Sequence, residues 1–107
     1  MLKLRKVSDM LYTIDQLKNL ISPIAKKHGV ASVSLFGSYS KGLAKEGSDV
    51  DLLIEKGKLE TLFELIGFRQ DVEDRLNLPV DVVTTETSDK NFLSRIARDG
   101  VLLYRTA

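Results

Sequence analysis

The stretch Asp49-Val50-Asp51-Leu52-Leu53-Ile54 sets two carboxylates one residue apart in a run otherwise suited to a buried strand. Side chains on a strand alternate between its two faces. Asp49, Asp51 and Leu53 therefore share one face, and Val50, Leu52 and Ile54 share the other. The second face is apolar throughout and belongs against a core. The first carries two like charges about one strand repeat apart, which repel each other unless something positive lies between them.

Apolar spacing elsewhere supplies the cover. Thr13 followed by Gln16 is a capping-box pattern, and Leu17, Leu20, Ile21 and Ile24 recur at helical spacing. The spacing predicts a first helix over about Ile14 to His28, stopped by Gly29, with Pro23 kinking or breaking it. Val30 to Phe36 reads as a strand ended by Gly37, and Ser38 to Ser48 as a loop with room for one helical turn. Val50 to Ile54 is the second strand. Leu59, Leu62, Phe63, Leu65, Ile66 and Val72 predict a second helix ending near Leu76 and Asn77, with Gly67 weakening its middle. Pro79 to Thr84 reads as a third strand, with proline at a permitted first position. A third helix carries Phe92, Leu93, Ile96 and Ala97, capped by Thr87 or Ser88 and stopped by Gly100. Val101 to Tyr104 is a short last strand. This order, α-β-β-α-β-α-β, predicts an α+β (mixed α/β) domain with helices packed on a small sheet of about four strands.

A chain of 107 residues is read as a single domain. Its apolar fraction of 43% and charged fraction of 29% are those of an ordinary globular protein. The formal net charge of +1 implies no broad basic field, and so no tight, sequence-blind grip on nucleic acid. The absence of cysteine excludes disulfides and zinc-thiolate sites, which fits a cytoplasmic location. Lys3, Arg5 and Lys6 precede no apolar segment of signal-peptide type, and no run approaches the ~20 apolar residues of a membrane-spanning helix.

The carboxylates carry the chemistry. Hard oxygen ligands at this spacing suit magnesium, which takes one or two protein carboxylates and completes its shell with water and phosphate oxygens. The plain alternative is an edge strand with a solvated outer face. A second lone carboxylate, Asp81, sits between Val80 and Val82 in the third strand. If the two strands are neighbours, Asp81 joins Asp49 and Asp51 in a set suited to two-metal phosphoryl chemistry; otherwise it is one more solvent-facing residue. Gly37 and Ser38 directly follow a strand, where glycine lets backbone approach a phosphate and the next amides can bind an anion. Ser38 adds a hydroxyl and Lys41 a positive charge. Read alone, Gly-Ser is an ordinary turn.

Other motifs fail on their residues. In GSYSKGLA, Leu43 and Ala44 stand where a P-loop needs lysine and serine or threonine. DVDLLIE lacks the ligands and glycine of an EF-hand loop. The one histidine, His28, ends the first helix after two lysines and reads as a partner of the helix dipole.

Taken together, LFGS, ten intervening residues, DVDLLI and the later VDVVT resemble the DNA polymerase beta nucleotidyltransferase superfamily. Its pattern is a hydrophobic residue, Gly-Ser, about ten residues, then Asp-hydrophobic-Asp-hydrophobic. Phe36, Gly37, Ser38, Asp49, Val50, Asp51 and Leu52 match it, and the compact length resembles the minimal nucleotidyltransferase (MNT) branch. The resemblance implies that Gly37 and Ser38 bind the triphosphate and that Asp49 and Asp51 hold two magnesium ions. It implies that Asp81 is the third carboxylate, binding one metal and helping to deprotonate the acceptor hydroxyl. Lys41 stands where the branch carries a basic residue, often arginine. Ser40 replaces a common alanine, a mild departure. ATP is the implied donor.

The resemblance also implies a partner. Little chain remains to build an acceptor pocket, so the acceptor is expected from another subunit, in a homo- or hetero-oligomer. Members of this branch pair with a helical HEPN-type toxin and act as antitoxins that adenylylate its tyrosine. A second reading is a binding module that masks its toxin without catalysis, and a third is transfer to RNA or a small molecule. The intact Gly-Ser and three aspartates favour catalysis. Phe63 and Phe68 on the second helix are candidate partner contacts, with core packing the competing use of Phe63.

Overall fold

The computed structural model describes residues 11–87 and 89–106. Ser88, one of the two expected caps, and the basic Lys3, Arg5 and Lys6 lie outside the described residues. The elements are α1 (Ile14–His28), β1 (Ser32–Phe36), β2 (Val50–Glu55), α2 (Leu62–Leu76), β3 (Val80–Thr84), α3 (Lys90–Asp99) and β4 (Val101–Arg105). Their order is the expected one.

Local chemistry sets the ends of the helices. Thr13 caps α1 in a reciprocal capping box with Gln16, and Gly29 closes it in the left-handed region at φ 74°. Pro23 neither breaks α1 nor ends it. It sits on the exposed side, where water can satisfy the carbonyl that its missing N–H leaves unpaired. Thr61 caps α2 through the same reciprocal pair with Glu64. Leu59 therefore precedes α2 instead of belonging to it, and is buried in the turn before the cap. Asp89, not Thr87, caps α3 by accepting the Phe92 N–H at 2.9 Å.

The four strands form one mixed sheet in the order β3-β2-β1-β4. β1 is antiparallel to both β2 and β4, whereas β2 and β3 are parallel. The parallel pair follows from α2, since a helical crossover returns the chain in the direction it started. Helices α1 and α2 cover one face. Leu17, Ile21 and Ala25 from α1 and Phe68, Val72 and Leu76 from α2 are buried against Val33, Leu35, Val50, Leu52 and Ile54. Each of these side chains other than Ala25 contributes about 1.5–3 kcal/mol through burial. Helix α3 lies on the opposite face, where Phe92 meets Phe36 edge-on with ring centroids 5.2 Å apart.

Two expectations about α2 are corrected. Phe68 is fully buried and is a core residue, with no surface to offer a partner. Phe63, whose competing use was the core, is 86% exposed. The stripe Leu65, Phe68, Val72 and Leu76 faces the sheet, and Phe63 falls outside it. His28 does more than answer the helix dipole. Its Nε2 lies 2.6 Å from Asp71 Oδ2, tying the end of α1 to α2.

Candidate active site

The alternation read from DVDLLI holds in β2. Val50, Leu52 and Ile54 point into the core, and Asp51 points to the other face. The register then decides its neighbours. Asp51 stands opposite Phe36 of β1 on one side and opposite Asp81 of β3 on the other. Asp81 is thus brought beside Asp51 by in-register parallel pairing. Asp49 lies one residue ahead of β2 and is placed by the loop, where Lys45 and Ser48 close a tight turn immediately before it.

Asp51 is held above the ordinary carboxylate range. Partial burial is the largest cause, followed by the charges of Asp81 and Asp49 and by a hydrogen bond with Asp81. All four act in the same direction, and among the described residues no lysine or arginine forms an ion pair with any of the three. Oxygen donors crowded together with uncompensated negative charge fit a hard divalent cation. Among the described residues, no three acidic or imidazole side chains enclose an ion by themselves. Water and phosphate oxygens would have to complete any shell, as magnesium allows.

Gly37 ends β1 at φ 73°. A Cβ built on it would overlap the Asp51 carboxylate. Both facts demand glycine here, and together they press the loop backbone against the acidic site. The chain then turns tightly. Lys41 N–H donates to the carbonyls of Gly37 and Ser38, and the Ser40 hydroxyl donates to the Gly37 carbonyl at 2.9 Å. The Lys41 to Gly37 bond spans four residues, so this run of turns holds one isolated helical turn, as expected. Tyr39 is 4% exposed and packs into the core, pinning the loop from within. Among the described residues no acceptor is found for the amides of Ser38, Tyr39 and Ser40, the kind of N–H run that can bind an anion.

Two clefts open here, and Phe36 and Phe92 line both. The first also holds Gly37, Ser40, Lys41 and Arg95. The second holds Asp51 and Asp81 together with Leu62, Ile66 and Arg69 of α2. The edge-on aromatic pair lies between a cleft that carries Lys41, Arg95 and Asp99 and one that carries Asp51, Asp81 and Arg69 among apolar side chains. The structure brings together Gly37, Asp51 and Asp81 as expected, and Asp49 lies near enough to act on Asp51, whereas Lys41 lines the other cleft with Gly37 and Ser40. Arg95 and Arg69 were not foreseen. Arg95 is exposed, three residues from Phe92 and one from Ile96, at the flank of the α3 stripe that packs on the sheet, and helical spacing is the signal that could have found it.

Residues 18–107 match the family model for polymerase beta nucleotidyltransferases. A Methanocaldococcus jannaschii protein named "Putative protein adenylyltransferase MJ0435" is 38% identical over 82% of this chain and 95% of its own. A crystal structure of a toxin-antitoxin with AMP-PNP superposes with a TM-score of 0.72 at 22% identity, over 83% of this chain and 73% of that one. A complex of a tri-AMPylated Shewanella oneidensis HEPN toxin with its MNT antitoxin gives a TM-score of 0.67 at 19% identity, over 88% and 74% of the two chains. This chain belongs to the polymerase beta nucleotidyltransferase family. The two solved structures share its fold. Among the described residues, no helix is long and apolar enough to cross a membrane.

Proposed function

We propose that this protein is a magnesium-dependent adenylyltransferase of the MNT antitoxin type, moving AMP from ATP to a tyrosine hydroxyl of a helical HEPN-type toxin in the cytoplasm. The observation that carries the reading is the side-by-side register of Asp51 and Asp81, with the Gly37 backbone pressed against Asp51. A phosphate held by the loop amides is thereby set beside the carboxylates.

Each residue has a role in this reading. The amides after Gly37, the Ser38 hydroxyl and the Lys41 ammonium bind and orient the triphosphate. Asp49, Asp51 and Asp81 would hold two magnesium ions, which when bound neutralise phosphate charge and polarise the reacting phosphorus. The acceptor oxygen attacks the α-phosphorus and a new O–P bond forms. The bond from that phosphorus to the α,β-bridging oxygen breaks, and pyrophosphate leaves with the electron pair. Asp81 accepts the hydroxyl proton. Little covalent work falls to the protein, whose contribution is positioning and charge.

The test incubates the protein with magnesium, lysate of its source and ATP labelled at either the α or the γ position. Label on a discrete protein band from α-labelled ATP alone, lost in Asp51→Asn, is the expected result. Label from γ-labelled ATP, or α-label that survives Asp51→Asn, would defeat the proposal.

A further inference from the structure

Among the described residues β3 is an edge strand, paired only with β2. The Pro79 carbonyl accepts the Val50 N–H at 3.0 Å, so Pro79 and, two residues on, Asp81 turn their backbone groups toward β2. Val80 lies between them and turns its N–H to the open edge. Val80 is 2% exposed, so this N–H needs a partner within the protein. It donates to Glu73 Oε2 of α2 at 2.9 Å. The main-chain carbonyl of Glu73 also accepts the Asn77 N–H at 2.8 Å, at the end of α2. One residue thus holds both ends of the turn that leads into β3. The other carboxylate oxygen, Oε1, lies 3.9 Å from Arg69 Nε, a loose pair on the same helix. The strong contact of Glu73 is therefore the one to the backbone.

Asp51 and Asp81 stand in register on neighbouring strands and carry like charge. β2 is paired on both sides and β3 on one, so repulsion between the two acids drives the edge strand outward. Only a contact on the outer edge of β3 opposes that movement from the other side. We infer that Glu73 is a positioning residue: by holding the Val80 N–H it fixes the edge of β3 and keeps the Asp81 carboxylate beside Asp51. The consequence for transfer rests on the nucleotidyltransferase reading above. Glu73 takes no part in the bond changes. It supplies an acceptor oxygen at the right reach, which glutamine also supplies and aspartate, one methylene shorter, does not.

The test compares Glu73→Ala and Glu73→Gln with Asp71→Asn, which removes another α2 carboxylate, one that faces α1. Amide hydrogen exchange at Val80 is followed by NMR in the metal-free protein, magnesium binding by calorimetry, and transfer from α-labelled ATP to lysate protein by initial rates. In Glu73→Ala the Val80 amide should exchange about tenfold faster. Magnesium should bind about fivefold more weakly and the maximal rate should fall about tenfold, with the KM for ATP within about twofold because the loop at Gly37 is untouched. Glu73→Gln should match the wild type in all four readings, and Asp71→Asn should match it in magnesium binding and rate. Should Glu73→Ala fail to fold, Glu73→Asp is read in its place with the same expectations. Wild-type behaviour in Glu73→Ala overturns the inference. So does a Glu73→Gln variant as impaired as alanine, which would assign the effect to the charge facing Arg69. An equal loss of rate in Asp71→Asn would mean general destabilisation and also overturns it. A wild type that binds magnesium and transfers no label, with the weakening in Glu73→Ala intact, removes the transferase reading and leaves Glu73 holding Asp81. Neither magnesium binding nor label in the wild type removes both.

Discussion

The Cα of Gly37 lies against the carboxylate of Asp51, so close that no side chain fits between them. The loop that would hold a phosphate and the acid that would hold a metal are therefore one mechanical unit. Gly37→Ala adds a Cβ that must push Asp51 aside, at a φ of 73° that alanine disfavours. The stability cost is about 1–2 kcal/mol. Nucleotide transfer should fall at least ~100-fold, since small misplacement of reacting groups is costly. Denaturant melts beside initial rates separate the two effects, and a rate loss no larger than the loss of folded protein would refute the coupling.

Asp51 and Asp81 repel each other in the protein without metal. Removing one charge should relieve that strain while destroying the site. Asp51→Asn should raise the melting temperature by up to about 4 °C in EDTA, since roughly 1 kcal/mol shifts a domain of this size by that much. Adding magnesium should stabilise the wild type and leave the variant unmoved. Scanning calorimetry of both proteins with and without magnesium gives the answer. An equal response to magnesium would place the ion elsewhere.

How much of this was legible in the chain differs from residue to residue. The alternation around Asp51 is local, so its face could be read directly. That Asp81 stands beside it required β2 and β3 to be neighbours in register, which no local pattern states. The two helically spaced stripes of α2 show why Phe68 was misread as a partner contact. Leu65, Phe68, Val72 and Leu76 form one stripe and Leu62, Ile66 and Arg69 the adjacent one. Both are helically spaced, and only packing against the sheet decides which is buried. Arg95 was missed for the same reason, because its spacing beside Phe92 is visible while the cleft it lines is made by β1.

That division of α2 is testable by stability alone. Phe68→Ala empties a fully buried site and should cost about 3–5 kcal/mol. Phe63→Ala, at a position 86% exposed, should stay within roughly 0.5 kcal/mol. Equilibrium urea titration of the pair checks both values. Comparable losses would mean that Phe63 packs inward.

His28 and Asp71 join α1 to α2 at 2.6 Å, and His28 also meets the Phe68 ring edge-on. The hydrogen bond from His28, with the charges of Lys27 and His28 adding to it, holds the Asp71 carboxyl below its ordinary value. A carboxylate depressed in the folded state stabilises above its unfolded pKa, and that stability is lost as pH falls through the folded one. Asp71 is 41% exposed on its side chain, so solvent screens the pair and its worth is roughly 0.5–1 kcal/mol. Asp71→Asn should therefore destabilise the protein by about that amount at pH 7. Its deficit should shrink below the ordinary aspartate value of 3.8 as the wild-type carboxyl takes up its proton. Denaturation midpoints measured from pH 7 down to acid would show the two curves converging. A gap constant across that range would mean that the charge of Asp71 contributes nothing and that only its shape matters.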